Sequence, residues 1–228
     1  MKRLYSEILQ DHFEDNKQMA FLMGPRQVGK THLAKLLQKN KKHYYFNWDN
    51  DDHRKILLQG PTVVAEKTKL NIAKKQKTII IFDEIQKYSH WKNYVKGFFD
   101  TYGSKAQIIV TGSSKLDVFQ KGGDSMMGRY FTYRICPLTI GEILNKDICQ
   151  KEHRKQQKIS DLQFQKLWDL GGFPEPFIKG KKTFYNKWKK LRYNQLVKED
   201  IRDLTPVQYI NKVEILLEMI RLNTAQLV

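Results

Sequence analysis

Residues 24–31 read GPRQVGKT, a complete G-x-x-x-x-G-K-[ST] pattern, and their surroundings constrain the fold more than any other stretch of the chain. Ala20-Phe21-Leu22-Met23 precedes the pattern with the length of a short buried strand. Thr31-His32-Leu33-Ala34-Lys35-Leu36-Leu37 follows it with apolar residues at helical spacing. A strand that turns through two glycines into a helix belongs in an α/β sheet, with the turn at the carboxyl end of the strand. Gly24 and Gly29 let the backbone approach an anion closely, and successive N–H groups with the helix N-terminus form a phosphate nest. Lys30 is placed to reach β- and γ-phosphates as a point charge, and the Thr31 hydroxyl to ligate Mg²⁺. Pro25, Arg26, Gln27, Val28 and His32 complete the segment expected to wrap a triphosphate. A turn that binds nothing would have to account for Lys-Thr at the one required spacing and for both flanks.

Two further apolar runs end in polar residues. Ile79-Ile80-Ile81-Phe82 leads into Asp83-Glu84, and Ile108-Ile109-Val110 leads into Thr111-Gly112-Ser113-Ser114. Continuous apolar runs of this length suit parallel strands covered on both faces, and ligands of such sheets sit at strand carboxyl ends. All three runs therefore converge on one site. Asp83 is the expected metal-side acid, acting on Mg²⁺ directly or through water, and Glu84 the expected base for an attacking water. The competing reading of Asp-Glu is a pair of acids opening a helix. Ser113 is the first choice for a hydroxyl that contacts the γ-phosphate or the water, with Thr111 and Ser114 beside it; a Ser-rich helix cap is the alternative. Arg129 follows the glycine-bearing segment 122–128, from which it could be presented to a neighbouring subunit as an arginine finger, with Arg134 and Arg26 as substitutes.

Strands are also expected over residues 43–48 and 129–135, and helices over 33–39, 52–59, 62–73 and 91–102. From about residue 137 strand patterns give way to helical ones, over 139–144, 160–170, 183–203 and 207–222. The division is an α/β core carrying the phosphate loop over 1–136 and a helical domain over 137–228.

The 41 Lys and Arg against 24 Asp and Glu give a net charge of +17, which favours polyanions such as nucleic acid or an acidic membrane surface. The charge falls in short runs such as Lys179-Gly180-Lys181-Lys182, which read equally as solvated turns. Cys136 and Cys149 fit no C-x-x-C spacing, and Glu7 precedes any apolar run, so neither a disulfide framework nor a secretory leader is expected and the compartment is cytoplasmic. No apolar stretch has the ~20 residues of a membrane span. The six histidines show neither H-x-H nor H-E-x-x-H spacing, and no zinc site is expected.

The sequence resembles the bacterial and archaeal AAA-type ATPases, relatives of the archaeal ATPases and STAND signalling NTPases. It does so through GPRQVGKT at 24–31, IIIFDEIQK at 79–87, TGSSKL at 111–116, GRYFTYRICPLTIGEIL at 128–144 and GGFPEP at 171–176. The resemblance implies a P-loop NTPase three-layer α/β sandwich, a parallel sheet of order 5-1-4-3-2 and a small helical lid. It implies Lys30 and Thr31 as nucleotide and Mg²⁺ ligands, Asp83 and Glu84 as metal and water acids, Ser113 or a neighbour as sensor, and Arg129 as a finger acting in trans in a homo-oligomer. ATP rather than GTP also follows from the resemblance, together with the absence of an N-K-x-D pattern. Such proteins usually continue into a winged helix and a domain resembling restriction nucleases, and this chain is expected to stop before the winged helix. A nucleotide-gated binding module with little turnover is the alternative function. A small-molecule kinase is disfavoured by Glu84, which serves water rather than an acceptor hydroxyl.

Overall fold

The computed structural model describes residues 3–37, 43–72, 76–112, 126–144, 158–196 and 210–222. Its centre is a five-stranded parallel sheet of β1 (Met19–Met23), β2 (His43–Asn47), β3 (Thr78–Asp83), β4 (Ala106–Gly112) and β5 (Tyr130–Arg134) in the order β2-β3-β4-β1-β5. This is the expected order read from the other edge. β3 and β4 are buried at every position, as their unbroken Ile and Val runs require, while the edge strands β2 and β5 are only partly covered.

Side-chain parity divides the strands between two cores. Phe21, Ile80, Phe82, Ile108 and Val110 pack with Leu57 of α3 (Asp51–Leu58), Val64 and Ala65 of α4 (Pro61–Lys67), and Trp91, Tyr94, Val95 and Phe98 of α5 (Trp91–Tyr102). Ala20, Leu22, Ile79, Ile81 and Ile109 pack on the other face with Leu9 of α1 (Tyr5–Asp15) and Leu33 and Ala34 of α2 (Lys30–Leu36). The period of two along a strand thus gives the helix-sheet-helix sandwich.

α1 is not marked by a strong apolar pattern, since only Leu9 and His12 are buried along it. His12 is fixed from both sides. Its Nε2 lies 2.9 Å from the Gln18 carbonyl, which can only accept, so Nδ1 is left to accept from the Tyr133 hydroxyl at 2.9 Å. Burial pushes the pKa of this imidazole below its usual value.

α4 is shorter than the 62–73 expected from its pattern. The Thr68 hydroxyl donates back to the Val64 carbonyl at 2.7 Å, and Lys69 takes a left-handed φ of 55°, which ends the helix and turns buried Leu70 inward. α3 begins where Asn50 accepts from the His53 N–H. α6 (Ile140–Ile143) begins at Thr139, which forms a reciprocal capping box with Glu142.

The remaining described helices are α7 (Asp161–Leu170), α8 (Pro174–Lys179), α9 (Lys182–Gln195) and α10 (Ile210–Leu222). The chain forms two compact units, one of Met1–Phe164 with Gly172–Pro174 and one of Gln165–Gly171 with Glu175–Val228. No described helix is long and apolar enough to cross a membrane.

Candidate functional site

β1 feeds the loop over 24–29, and α2 starts at Lys30. Left-handed φ values of 64° at Gln27 and 95° at Gly29 bend the loop into the kind of concave amide array that binds anions. Gly24 is required at its position. A Cβ there would lie 2.3 Å from the Ile135 carbonyl oxygen, and its φ is +152°. The close approach arises because the Ile135 N–H donates to the Met23 carbonyl at 2.7 Å, drawing the end of β5 against the loop. Gly24→Ala is therefore expected to cost about 3 kcal/mol of stability in a urea titration, since the clash is with backbone that no rotamer change relieves.

Lys30 is 6% exposed, and its Nζ donates to the carbonyls of Gly24 and Pro25, both at 2.9 Å. The ammonium is thereby held within the loop. Val28 is buried beneath it, and Pro25, Gln27 and His32 face solvent.

Asp83 ends β3 in register with Thr111 of β4 and Asn47 of β2. It is 5% exposed and accepts from three hydroxyls. Thr31 Oγ1 and Tyr45 reach Oδ2 at 3.0 and 2.5 Å, and Thr111 Oγ1 donates to Oδ1. The P-loop threonine and the acid of β3 are thus joined directly. Burial, reinforced by the Asp83 carboxylate, raises the Tyr45 pKa far above that of a free phenol and keeps the group a donor. The Lys35 ammonium sits 3.9 Å above the Tyr45 ring. Removing the hydroxyl in Tyr45→Phe deletes a hydrogen bond to a charged acceptor, with an expected loss of about 1.5 to 2 kcal/mol measurable by chemical denaturation.

Glu84 follows in a left-handed conformation, φ 55° and ψ 24°, unusual for a residue with a Cβ. Its N–H donates to the Thr111 carbonyl at 2.9 Å, fixing the turn to β4. It precedes a short 3₁₀ turn, Ile85–Lys87, but its side chain caps nothing there, so the helix-opening reading of the two acids does not describe it. The carboxylate instead accepts from Gln86 Nε2 at 2.8 Å, with Lys87 Nζ at 4.0 Å. Burial raises the Glu84 pKa above the usual carboxylate value, against an opposing pull from Lys87.

Not every candidate residue lies here. Ser113 and Ser114 fall outside the described residues. Thr111, placed with Ser114 behind Ser113 as a sensing hydroxyl, is buried with its hydroxyl on Asp83. Arg129 lies at the amino end of β5, where its carbonyl accepts from Met19 N–H at the start of β1. This is the opposite edge of the sheet from the loop. Its guanidinium grips Asp100 of α5 through Nε at 2.7 Å and Nη2 at 3.2 Å. Arg134 is at the carboxyl edge, where its carbonyl accepts from Tyr5. Tyr45 and Arg3 are the contributors that sequence reading missed. Arg3 donates to the Val28 carbonyl within the loop at 2.8 Å.

A parallel sheet with an anion loop after β1 and a threonine-bonded acid at the end of β3 defines the P-loop NTPase class. Residues 16–144 match the model of the AAA domain family, and the chain belongs to that family. Family membership supports a general nucleotide-binding and nucleotide-hydrolysing role. Two uncharacterized proteins of Methanocaldococcus jannaschii are similar to it. MJ1544 is 29% identical over 163 residues, covering 68% of this chain and 35% of that protein, and MJ1637 is 27% identical over 214 residues, covering 88% and 41%. The chain thus spans about two fifths or less of the length of these curated relatives. Among solved structures, the Walker-type ATPase PABY2304 of Pyrococcus abyssi shares the fold, with a TM-score of 0.53 at 15% identity over 87% of this chain and 73% of that one.

Proposed function

We propose that this chain binds Mg·ATP through residues 24–31 and hydrolyses it with water as acceptor. The observation that carries the reading is the 3.0 Å bond between Thr31 Oγ1 and Asp83 Oδ2, which ties the phosphate loop to the acid of β3 beside Glu84. Because Thr31 spends its proton on Asp83, an oxygen lone pair remains for a hard cation, and these oxygen donors fit Mg²⁺. Thr31 and Asp83 would hold the ion, which supplies charge neutralisation at the β- and γ-phosphate oxygens. Lys30 would pair with the same phosphates. Glu84 would orient the attacking water and take its proton. Titration with a fluorescent ATP analogue, with Mg²⁺ and with EDTA, alongside a phosphate-release assay, tests the whole reading. Absence of binding in Mg²⁺ would refute it.

In this scheme the energy of turnover serves a partner outside the chain, and Arg129 acts only in trans, on a neighbouring copy, after releasing Asp100. Sedimentation with and without ATP tests the assembly.

A second reading, a nucleotide-gated module that binds nucleic acid, is favoured by α9. This helix contains no acidic residue, buries Trp188 and exposes Lys182, Lys187, Lys189 and Lys190. Four such contacts to duplex phosphates would give a slope of log K against log salt of about −3.6. Replacing the four lysines by Gln should flatten that slope in fluorescence anisotropy with a labelled duplex. No binding at low salt would dismiss this second reading.

A further inference from the structure

Arg3 is 5% exposed and stands 139 residues from its ionic partner, Glu142, which is also 5% exposed. Its guanidinium serves three separate segments. Nε donates to Glu142 Oε1 at 2.7 Å, Nη1 to the Val28 carbonyl at 2.8 Å, and Nη2 to the Cys136 carbonyl at 2.7 Å. Glu142 is itself held, because its Oε1 also accepts from Leu4 N–H at 3.0 Å and its Oε2 from Thr139 N–H at 3.3 Å. The arrangement ties the start of the chain, the phosphate loop, the exit of β5 and the first turn of α6 to one buried ion pair.

The bond to Val28 matters for the site. Across a trans peptide the carbonyl and the following N–H point in opposite directions, and there is no cis peptide among the described residues. Holding the Val28 oxygen toward Arg3 therefore aims the Gly29 N–H away from Arg3. Without such a hold, the left-handed Gly29, which carries no Cβ to limit its φ, leaves this peptide plane free to rotate.

We propose that Arg3 is a positioning residue for triphosphate binding: through the Val28 carbonyl it presents the Gly29 N–H to the phosphate side of the loop, with Glu142 holding the guanidinium in register. The proposal rests on the nucleotide-binding reading of residues 24–31. A lysine at position 3 could keep the ion pair but not the planar fork that reaches three acceptors. Arg3 and Glu142 could also be replaced together by apolar residues of similar volume, which buried ion pairs often tolerate.

The test uses the full chain with Arg3→Lys and the double replacement Arg3→Met with Glu142→Leu, each checked for folding by circular dichroism. Two ligands are titrated, a fluorescent ATP analogue with Mg²⁺ and inorganic triphosphate. Exchange of the Gly29 amide is followed by NMR with and without inorganic triphosphate. Folded variants are expected to bind both ligands roughly tenfold more weakly, the cost of one misdirected donor to a charged acceptor. Triphosphate should protect the Gly29 amide in the wild type and protect it less in the variants. A folded variant with wild-type affinity and wild-type Gly29 protection overturns the proposal. So does a wild-type Gly29 amide that triphosphate leaves unprotected. Wild-type protein that binds inorganic triphosphate but not ATP would refute the ATP reading alone, leaving Gly29 protection to decide the role of Arg3.

Discussion

Replacing Glu84 by Gln is expected to slow phosphate release by about 10² to 10⁴, the usual contribution of a positioned general base, while ATP binding stays within about twofold of the wild type. The substitution changes almost no volume, and an amide at this position can still meet Gln86 Nε2, now 2.8 Å from the carboxylate. The left-handed backbone at Glu84 depends on the bond from its N–H to the Thr111 carbonyl, which the substitution leaves alone. What disappears is the capacity to accept a proton from water. Single-turnover phosphate release measured beside equilibrium binding separates the two effects. Equal turnover in Glu84→Gln and wild type would remove Glu84 from the mechanism, and a parallel loss of binding would make it a structural residue.

Lys30→Ala is expected to act on binding. The ammonium now donates to two loop carbonyls, at 2.9 Å each, and these are the bonds it would exchange for phosphate oxygens. Two charge-assisted bonds at about 1.5 kcal/mol each amount to about 3 kcal/mol, or about two decades in Kd. The same substitution removes the contacts that close the loop on itself, so the thermal midpoint must be recorded with the affinity. A hundredfold weaker Kd with a midpoint within a few degrees of wild type is the expected pair of results. An unchanged Kd would show that the loop does not bind triphosphate through Lys30.

The parts of the site that could be read from sequence are those in which residue type and local spacing carry the chemistry. Lys30 and Thr31 are announced by the spacing of the glycine loop between strand and helix, Asp83 and Glu84 by an apolar strand ending in acids, and the structure joins Thr31 to Asp83 at the carboxyl edge of the sheet. Thr111 was less legible. Serines look like better sensors than a threonine still inside a strand, but β4 runs on to Gly112 and its register sets Thr111 opposite Asp83. Tyr45 required knowledge of which strand lies beside β3. Once β2 is placed there, parity puts Tyr45 on the face of Ile79, Ile81 and Asp83, within reach of the acid. Arg3 has no local signal at all, and the Thr139-x-x-Glu142 spacing announces only a helix cap. Nothing local pairs the two residues, and only the folded chain brings them together and buries them. The end of α4 was missed for a similar reason, since the left-handed turn at Lys69, where the N–H reaches the Glu66 carbonyl instead of the Ala65 carbonyl, has no counterpart in the apolar pattern.

The complete burial of β3 and β4 has a mechanical consequence. Asp83 ends β3 and Thr111 stands one residue before the end of β4, two of the three strands whose amide ladders are flanked by neighbours on both sides, whereas β2 and β5 form the edges. Central ladders of this kind are released only when the whole unit opens. The acid and the threonine therefore ride on stiff timbers of the frame, and a load placed on either would reach the turns at their ends with little lost to bending of the sheet beneath.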